Sequence, residues 1–269
     1  MTSKRKPSAV AQRRRSHDRH SSRDSQVGAV WIYGHHAVLA AVANPRRHCL
    51  RLIAAPATAD ALAAAAEQAA AARPSIEVLD RRDLERLLPP EAVHQGVAVL
   101  AEPLADIGLG DFLVHLEDGE NARLVVLDQV SDPRNVGAVM RSAAAFGVKA
   151  VVVQERHSPE ATGVLAKAAS GAMEHVPMIR VTNITRSLEA MKQAGFWCLA
   201  LDAGAPHALA AIRPTRRCAV VIGAEGKGLR RLVREACDES GRIPISDAVE
   251  SLNVSVAAAI VLYEFCRQS

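Results

Sequence analysis

Two loops of small and polar residues hold the side chains best suited to chemistry. The first, Gly223-Ala224-Glu225-Gly226-Lys227-Gly228, follows the apolar run 219–222. The second, Ser251-Leu252-Asn253-Val254-Ser255, comes shortly after the apolar run 243–245. A buried strand that stops at a Gly-rich turn leaves backbone N–H and C=O groups at the rim of a sheet, where open α/β folds bind ligands. A charged, helix-like run between the loops can bring both to one site. The first loop is not a phosphate P-loop, because Gly228 is followed by Leu229 rather than by Lys and Ser or Thr. It is not a dinucleotide fingerprint either, because Arg231 stands where a third Gly belongs. What remains is a tight loop with the carboxylate of Glu225 at its apex, which a plain left-handed turn would also explain. Ser251 or Asn253 suits the N-cap of the next helix, yet three polar residues beside an apolar helix exceed what a cap requires. A third set, Asn135, Gly137 and Arg141, shares one helix. Arg141 follows Met140 in an apolar setting, so it either snorkels outward or is aimed at an anionic group.

These residues need a frame. The strand 123–128 leads into Asp132-Pro133-Arg134-Asn135, a turn that opens a helix. Val136, Val139, Met140, Ala143 and Phe146 follow helical spacing, and Gly147 ends the helix. The runs 150–153, 197–201 and 219–222 read as strands, and 184–194 as a helix. Near-continuous apolar strands with helices between them predict an α/β fold with a parallel sheet covered on both faces. The last helix, 254–266, is apolar nearly all round, which predicts burial in the core or against a second subunit. This domain spans 122–269. A smaller α/β domain precedes it over 29–101, with strands at 31–33, 51–54, 76–79 and 97–100. Its helices are expected at 36–43, at the Ala-rich 60–73 and at 81–88, where Pro89-Pro90 stops the last. His35, His36 and His94 have no acidic partner at a telling spacing and read as structural or nucleic-acid-facing, not as bases. Residues 102–121 mix Pro, Gly and acids and read as a linker with one helical turn.

Charge separates the start of the chain from its body. Residues 1–26 hold eight Lys/Arg and two Asp, a net +6, against +4 for the whole chain, so the remainder carries −2. The segment 1–28 has too few apolar residues to offset chain entropy and is expected to be a disordered basic tail. Its Arg13-Arg14-Arg15 cluster suits contact with nucleic-acid phosphates. Cys49, Cys198, Cys218, Cys237 and Cys266 are scattered without a Cys-x-x-Cys and read as reduced thiols of a cytoplasmic protein. No residues have metal-ligand spacing. No apolar run nears the ~18 residues of a membrane helix, and no apolar stretch backs the first residues, so neither an anchor nor a secretory signal is expected.

Taken together, three motifs carry a resemblance. Asn135-x-Gly137-x-x-x-Arg141, Gly223-x-Glu225-Gly226-x-Gly228-Leu229 and Ile243-Pro244 with Ser251-Leu252-Asn253-Val254-Ser255 resemble, in order and spacing, the signature motifs of the SpoU (TrmH-like) class of SPOUT RNA methyltransferases. The resemblance covers about residues 122–267. More loosely, Ile32-Tyr33-Gly34-His35-His36-Ala37-Val38 and His94-Gln95-Gly96 look like the ribosomal-protein-like RNA-binding domain of bacterial large-subunit rRNA guanosine 2′-O-methyltransferases. The long basic tail lies beyond that family's pattern. The resemblance implies a C-terminal trefoil knot, S-adenosylmethionine bound within it, and a homodimer with active sites at the interface. It implies cofactor contacts at Gly223, Ile243 and Leu252, largely through backbone groups. Asn135, Arg141, Glu225, Ser251 and Asn253 fall on its catalytic and substrate-positioning set. RNA is then the partner: a guanosine of large-subunit rRNA first, a tRNA ribose as the alternative. A non-catalytic RNA-binding protein on the same fold is a further alternative, against which the complete residue set argues.

The implied reaction moves a methyl group from a sulfonium to a ribose 2′-hydroxyl. That hydroxyl is a weak acid and must lose its proton as it attacks. The motifs hold no suitable His or Asp. Arg141 either acts as a base after unusual perturbation or stays charged and stabilises the developing alkoxide. A guanidinium pKa above about 12 favours the second role.

Overall fold

The computed structural model describes residues 28–117 and 119–268, so the basic tail lies outside the described residues apart from Gly28. Two sheets organise the chain. The smaller is built from β1 (Val30–Tyr33), β2 (Cys49–Ala54), β3 (Ile76–Val78) and β4 (Val97–Ala101), in the order β1-β4-β2-β3. Around it lie α1 (His35–Ala43), α2 (Ala59–Gln68) and α3 (Arg81–Leu87). Ile32, Leu52, Val97 and Val99 meet Val38, Ala41 and Leu62 in one buried cluster. Helix α2 stops earlier than the expected 60–73. Arg73 lies beyond its end and donates to the carbonyls of Val42 in the last turn of α1, of its C-cap Asn44 and of Arg47 in the turn that follows. Those carbonyls have no partner within the helix, and a cation there is favourable, so Arg73 serves α1 rather than extending α2.

The larger domain begins with α4 (Leu109–Val114). It continues through β5 (Ala122–Asp128), α5 (Pro133–Ala145), β6 (Ala150–Gln154), α6 (Gly163–Ala169), β7 (Met178–Val181), α7 (Ile184–Gln193) and β8 (Trp197–Leu201). Then come β9 (His207–Ala208), β10 (Arg217–Gly223), α8 (Arg231–Glu235), β11 (Glu239–Arg242) and α9 (Val254–Arg267). The seven strands pair in parallel in the order β7-β6-β5-β10-β8-β11-β9. Successive side chains of a strand face opposite sides. Val125 and Leu127 of β5 therefore meet α5, α6 and α9, while Leu124 and Val126 meet α7 and α8. This is the expected parallel sheet with helices on both faces. Its order is compatible with a knotted C-terminal path.

Several elements differ from expectation. The run 243–245 is not a strand. The strand is β11 just before it, Glu-Ser-Gly-Arg, where a Cβ on Gly241 would overlap the Ile212 side chain. Helix α4 is more than a turn in a linker: Leu109, Phe112, Leu113 and Leu116 pack on the core beside α7. In α9 the residues Val254, Ala258, Val261, Leu262 and Phe265 are buried, but Val256, Ile260 and Tyr263 stay exposed at helical spacing. The chain thus covers only one face of its last helix.

A seam joins the two domains. Helix α6 packs against both β1 and α5. A Cβ on Gly137 would lie 2.6 Å from the Leu165 carbonyl oxygen, so α5 and α6 approach closely. Arg47 and Glu174, with side chains 3% and 4% exposed, form an ion pair at 2.6 Å across this seam. Glu174 also accepts from Asn44 Nδ2 at 2.7 Å. Among the described residues no helix is long and apolar enough to cross a membrane.

Candidate active site

The site forms at the C-terminal ends of β5 and β10. Helix α5 starts on Asp132, whose carboxylate accepts from the Arg134 N–H at 2.9 Å, with Pro133 in its first turn. Pro is preorganised for that position and has no N–H to leave unpaired. This start places Asn135 in the first turn, at the rim. Opposite it, β10 ends on Gly223, in register with Asp128. The loop then folds back on itself. Gly228 N–H donates to the Ala224 carbonyl at 2.9 Å, and Gly226 and Gly228 take left-handed φ values of 74° and 63°. A Cβ on Gly223 would overlap the Gly228 carbonyl group. Gly223 is therefore required by the loop's own closure.

Glu225 sits at the apex, and its Oε1 gathers the three motifs. It accepts from Asn135 Nδ2 at 3.1 Å, from Asn253 Nδ2, and from the backbone N–H of Val254 at 3.3 Å. Asn253 Nδ2 also donates to Asn135 Oδ1 at 3.0 Å. Asn253 is at the same time the N-cap of α9, its Oδ1 accepting from Ser255 N–H at 2.9 Å. Both readings of that residue hold together: it caps a helix and ties the loops. A carboxylate at the N-terminus of α9 is also favoured by the helix dipole.

Arg141 and Ser251 stand apart from this cluster. Arg141 lies six residues beyond Asn135, roughly 120° around the helix. It is exposed, and among the described residues its side chain makes no hydrogen bond or ion pair. Ser251 is exposed and likewise unbonded. Ile243 is half-buried against the larger core cluster, and Leu252 is half-buried just before the cap. Among the described residues the stretch 244–252 makes no hydrogen bond, and Ile245 and Val249 in it are exposed. Backbone donors and acceptors thus stand open there beside apolar side chains.

One pair that shapes the site has no mark in the sequence motifs. Asp128, fully buried at the end of β5, accepts from Arg230 N–H at 3.0 Å and from its Nε at 2.8 Å. Arg230 Nη2 reaches Gln154 Oε1 at 3.1 Å. This pair fastens the far end of the first loop to the sheet. The available signal was weak: a carboxylate closing an apolar strand, and an Arg directly after Leu229. Burial pushes Cys198 and Cys237 up to about 12 and Cys218 up to about 11, so they stay protonated near neutral pH. Among the described residues no three His, Cys, Asp or Glu side chains are grouped to hold a metal.

Known proteins resemble this chain. Residues 122–263 match the SpoU rRNA Methylase family, and residues 31–106 match the family described as RNA 2'-O ribose methyltransferase substrate binding. A protein of Mycobacterium tuberculosis described as an uncharacterized tRNA/rRNA methyltransferase is 41% identical over 235 residues, 84% of this chain and 72% of its own. A protein of the same description from Mycolicibacterium gilvum is 41% identical over 236 residues, 84% and 74% of the two chains. Among solved structures, the SpoU methyltransferase AviRb from Streptomyces viridochromogenes, in complex with AdoMet, aligns with a TM-score of 0.71 at 23% identity over 90% of each chain. At that identity the likeness bears on the fold alone.

Proposed function

The chain belongs to the SpoU rRNA methylase family, and from that premise we propose that it methylates a ribose 2′-hydroxyl of RNA with S-adenosylmethionine as donor. The observation that carries this reading is the meeting of three distant motifs on one oxygen, Glu225 Oε1. The target we assign is a guanosine of large-subunit rRNA, on the pairing of the catalytic domain with a small substrate-binding domain. The protein acts in the cytoplasm.

The residues present fit the donor. The closed loop at Gly223 and the open backbone groups of 244–252 offer donors and acceptors, and Ile245, Val249 and Leu252 offer apolar contact. Gly223, Ile243 and Leu252 would hold it. When bound, it supplies a methyl group already activated by the sulfonium charge. Asn135, Glu225 and Asn253 lock the two loops against each other and fix the entry of α9. Arg141 keeps its charge and stabilises the oxygen of the attacking hydroxyl as negative charge develops on it. Ser251 orients the ribose.

A homodimer completes the site. The exposed stripe Val256, Ile260 and Tyr263 on α9 suits burial against a second copy. Arg141 points away from the Asn135 cluster of its own chain and is available to the substrate of a paired subunit. Two measurements test the proposal. Calorimetry of the purified protein with S-adenosylmethionine should give one site per chain; no binding would leave an RNA-binding protein without the chemistry. Ribose-methylation mapping in a deletion strain should lose one mark in large-subunit rRNA, and a mark lost from tRNA instead would move the substrate there.

A further inference from the structure

We propose that a cavity in the small domain receives one unpaired nucleobase of the RNA substrate, with the buried N–H of His94 as its hydrogen-bond donor. The proposal rests on the reading of RNA as substrate. The cavity, about 780 Å³, lies between α3, the loop 89–96 and the turn 56–58. Leu88 and Val93 give it apolar walls, and Thr58, Arg81, Glu85 and His94 give it polar ones.

His94 is 4% exposed. Its Nδ1 accepts the Gly96 backbone N–H at 3.1 Å. A ring nitrogen that accepts carries no proton, so in the neutral imidazole the proton sits on Nε2. Burial, followed by the nearby Arg81 charge, lowers the pKa of this ring and favours that neutral form. Yet Nε2 has no hydrogen-bond partner among the described residues. The closest carboxylate oxygen, Glu85 Oε1, is 3.8 Å away and already accepts from Arg81 Nε at 3.0 Å. A buried donor left unpaired costs about 1–3 kcal/mol.

The loop that bears His94 is strained as well. Glu91 and Gln95 hold left-handed φ values of 65° and 56° without being glycine, a conformation that persists only when its surroundings enforce it. Gln95 Oε1 accepts the His35 N–H at 3.0 Å, and Lys167 on α6 donates its Nζ to the Val93 carbonyl. Both domains therefore brace one wall of the cavity. Strain and an unpaired donor in the same loop are what a site held ready for a ligand requires.

The chemistry points to a base. Each nucleobase has a hydrogen-bond acceptor beside a donor on its Watson–Crick edge, and that edge is open only in unpaired RNA, where proteins read it. His94 Nε2–H supplies the donor to that acceptor. Glu85 Oε1 stands 3.8 Å from Nε2, and this exposed side chain is held by a surface ion pair with Arg81, which constrains it weakly. Its outward swing opens the donor and leaves Arg81 for a phosphate. Because α6 braces this loop and packs on α5, a base held here is fixed relative to Asn135.

The test uses the full chain and fluorescence anisotropy. The probes are a short labelled single-stranded RNA and the same RNA annealed to its complement. His94→Ala should weaken single-strand binding by about tenfold, the loss of one hydrogen bond to a buried donor. Ala57→Trp, placed at an exposed position at the mouth of the cavity, should do the same. Duplex binding and S-adenosylmethionine binding should stay within about twofold in both, since neither residue touches that loop. Should His94→Ala fail to fold, Ala57→Trp decides alone. Parental single-strand affinity in Ala57→Trp, or equal losses for single strand and duplex, would overturn the base pocket. Failure of the methyltransferase reading is distinct: it is absence of S-adenosylmethionine binding in the unaltered protein.

Discussion

The seam between the domains and the rim of the large sheet are both made of charged and amide side chains, and they are finished in opposite ways. At the seam, Glu174 takes Asn44 Nδ2, Arg47 Nε and Arg47 Nη2, and Arg47 Nη1 goes on to the Glu102 carbonyl. The ion pair is buried and its donors are matched by acceptors. At the rim, Glu225 Oε1 takes three donors, while the backbone of 244–252, Ser251 and, further along α5, Arg141 make no hydrogen bond among the described residues. A buried charge without a partner is costly, so the fold pairs it completely. A charge kept at an exposed rim can wait for a ligand. The difference separates groups that hold the molecule together from groups that act on something else.

Substitutions can break this contrast or sharpen it. The largest effect is expected at Gly223→Val: the new side chain collides with the Gly228 carbonyl and pushes the loop open. S-adenosylmethionine binding should vanish by calorimetry while the elution volume in gel filtration stays that of the unaltered protein. Normal binding would put the pocket elsewhere and remove the rim's role. Next, Glu174→Ala leaves Arg47 buried without its counter-charge, and should lower unfolding free energy by about 3–5 kcal/mol in denaturant titrations. Cofactor affinity of the folded protein should not move; a coupled loss would mean that the seam also serves the site.

Arg141→Ala should do the reverse. Methyl transfer should fall by about 10²–10³-fold, roughly 2.7–4 kcal/mol of transition-state stabilisation. Tm should be unchanged and cofactor affinity nearly so. Arg141→Lys keeps the charge without the planar fork, so partial activity would favour charge stabilisation over a base. Parental turnover in Arg141→Ala would return the residue to an ordinary surface cation. The smallest change is Asn253→Ala, which belongs to both classes. Loss of the cap should cost about 1 kcal/mol of stability, and loss of the tie to Glu225 should lower kcat further. A stability loss with kcat intact would leave Asn253 a cap and nothing more.

How much of this was legible follows from where each signal lies. The buried strands announce themselves as apolar runs, and α5 shows its period through Val136, Val139, Met140 and Ala143, all buried. Helix α6 is short and Ala-rich, with Gly at its start, so neither length nor period marks it. Strand β11 has no apolar residue, because its neighbours and Gly241, rather than its own side chains, determine its place. The resemblance grouped Asn135, Arg141, Glu225, Ser251 and Asn253, and of these the fold brings Asn135, Glu225 and Asn253 into hydrogen-bond contact. The period that buries Val136, Val139, Met140 and Ala143 puts Arg141 on the opposite side of α5, and of its two readings, outward or aimed at an anion, the exposed position is the one it takes. The Arg47–Glu174 and Asp128–Arg230 pairs join residues 127 and 102 positions apart, and no local pattern connects them.

Strand β10 lies between β5 and β8, and its first residue pairs with Ala122, far back in the chain. During synthesis β5 emerges long before the strand that joins it to β8, and β8 itself only shortly before that strand. Until residue 217 leaves the ribosome, the nascent domain carries a vacant slot at the middle of its sheet, flanked by two apolar edges with unpaired N–H and C=O groups. Such edges invite pairing with other chains, and a contact closed over so long a loop forms slowly. Chains that end before β10 should therefore aggregate rather than yield a soluble half-domain. Quality control of this protein falls on the interval between the eighth strand and the tenth.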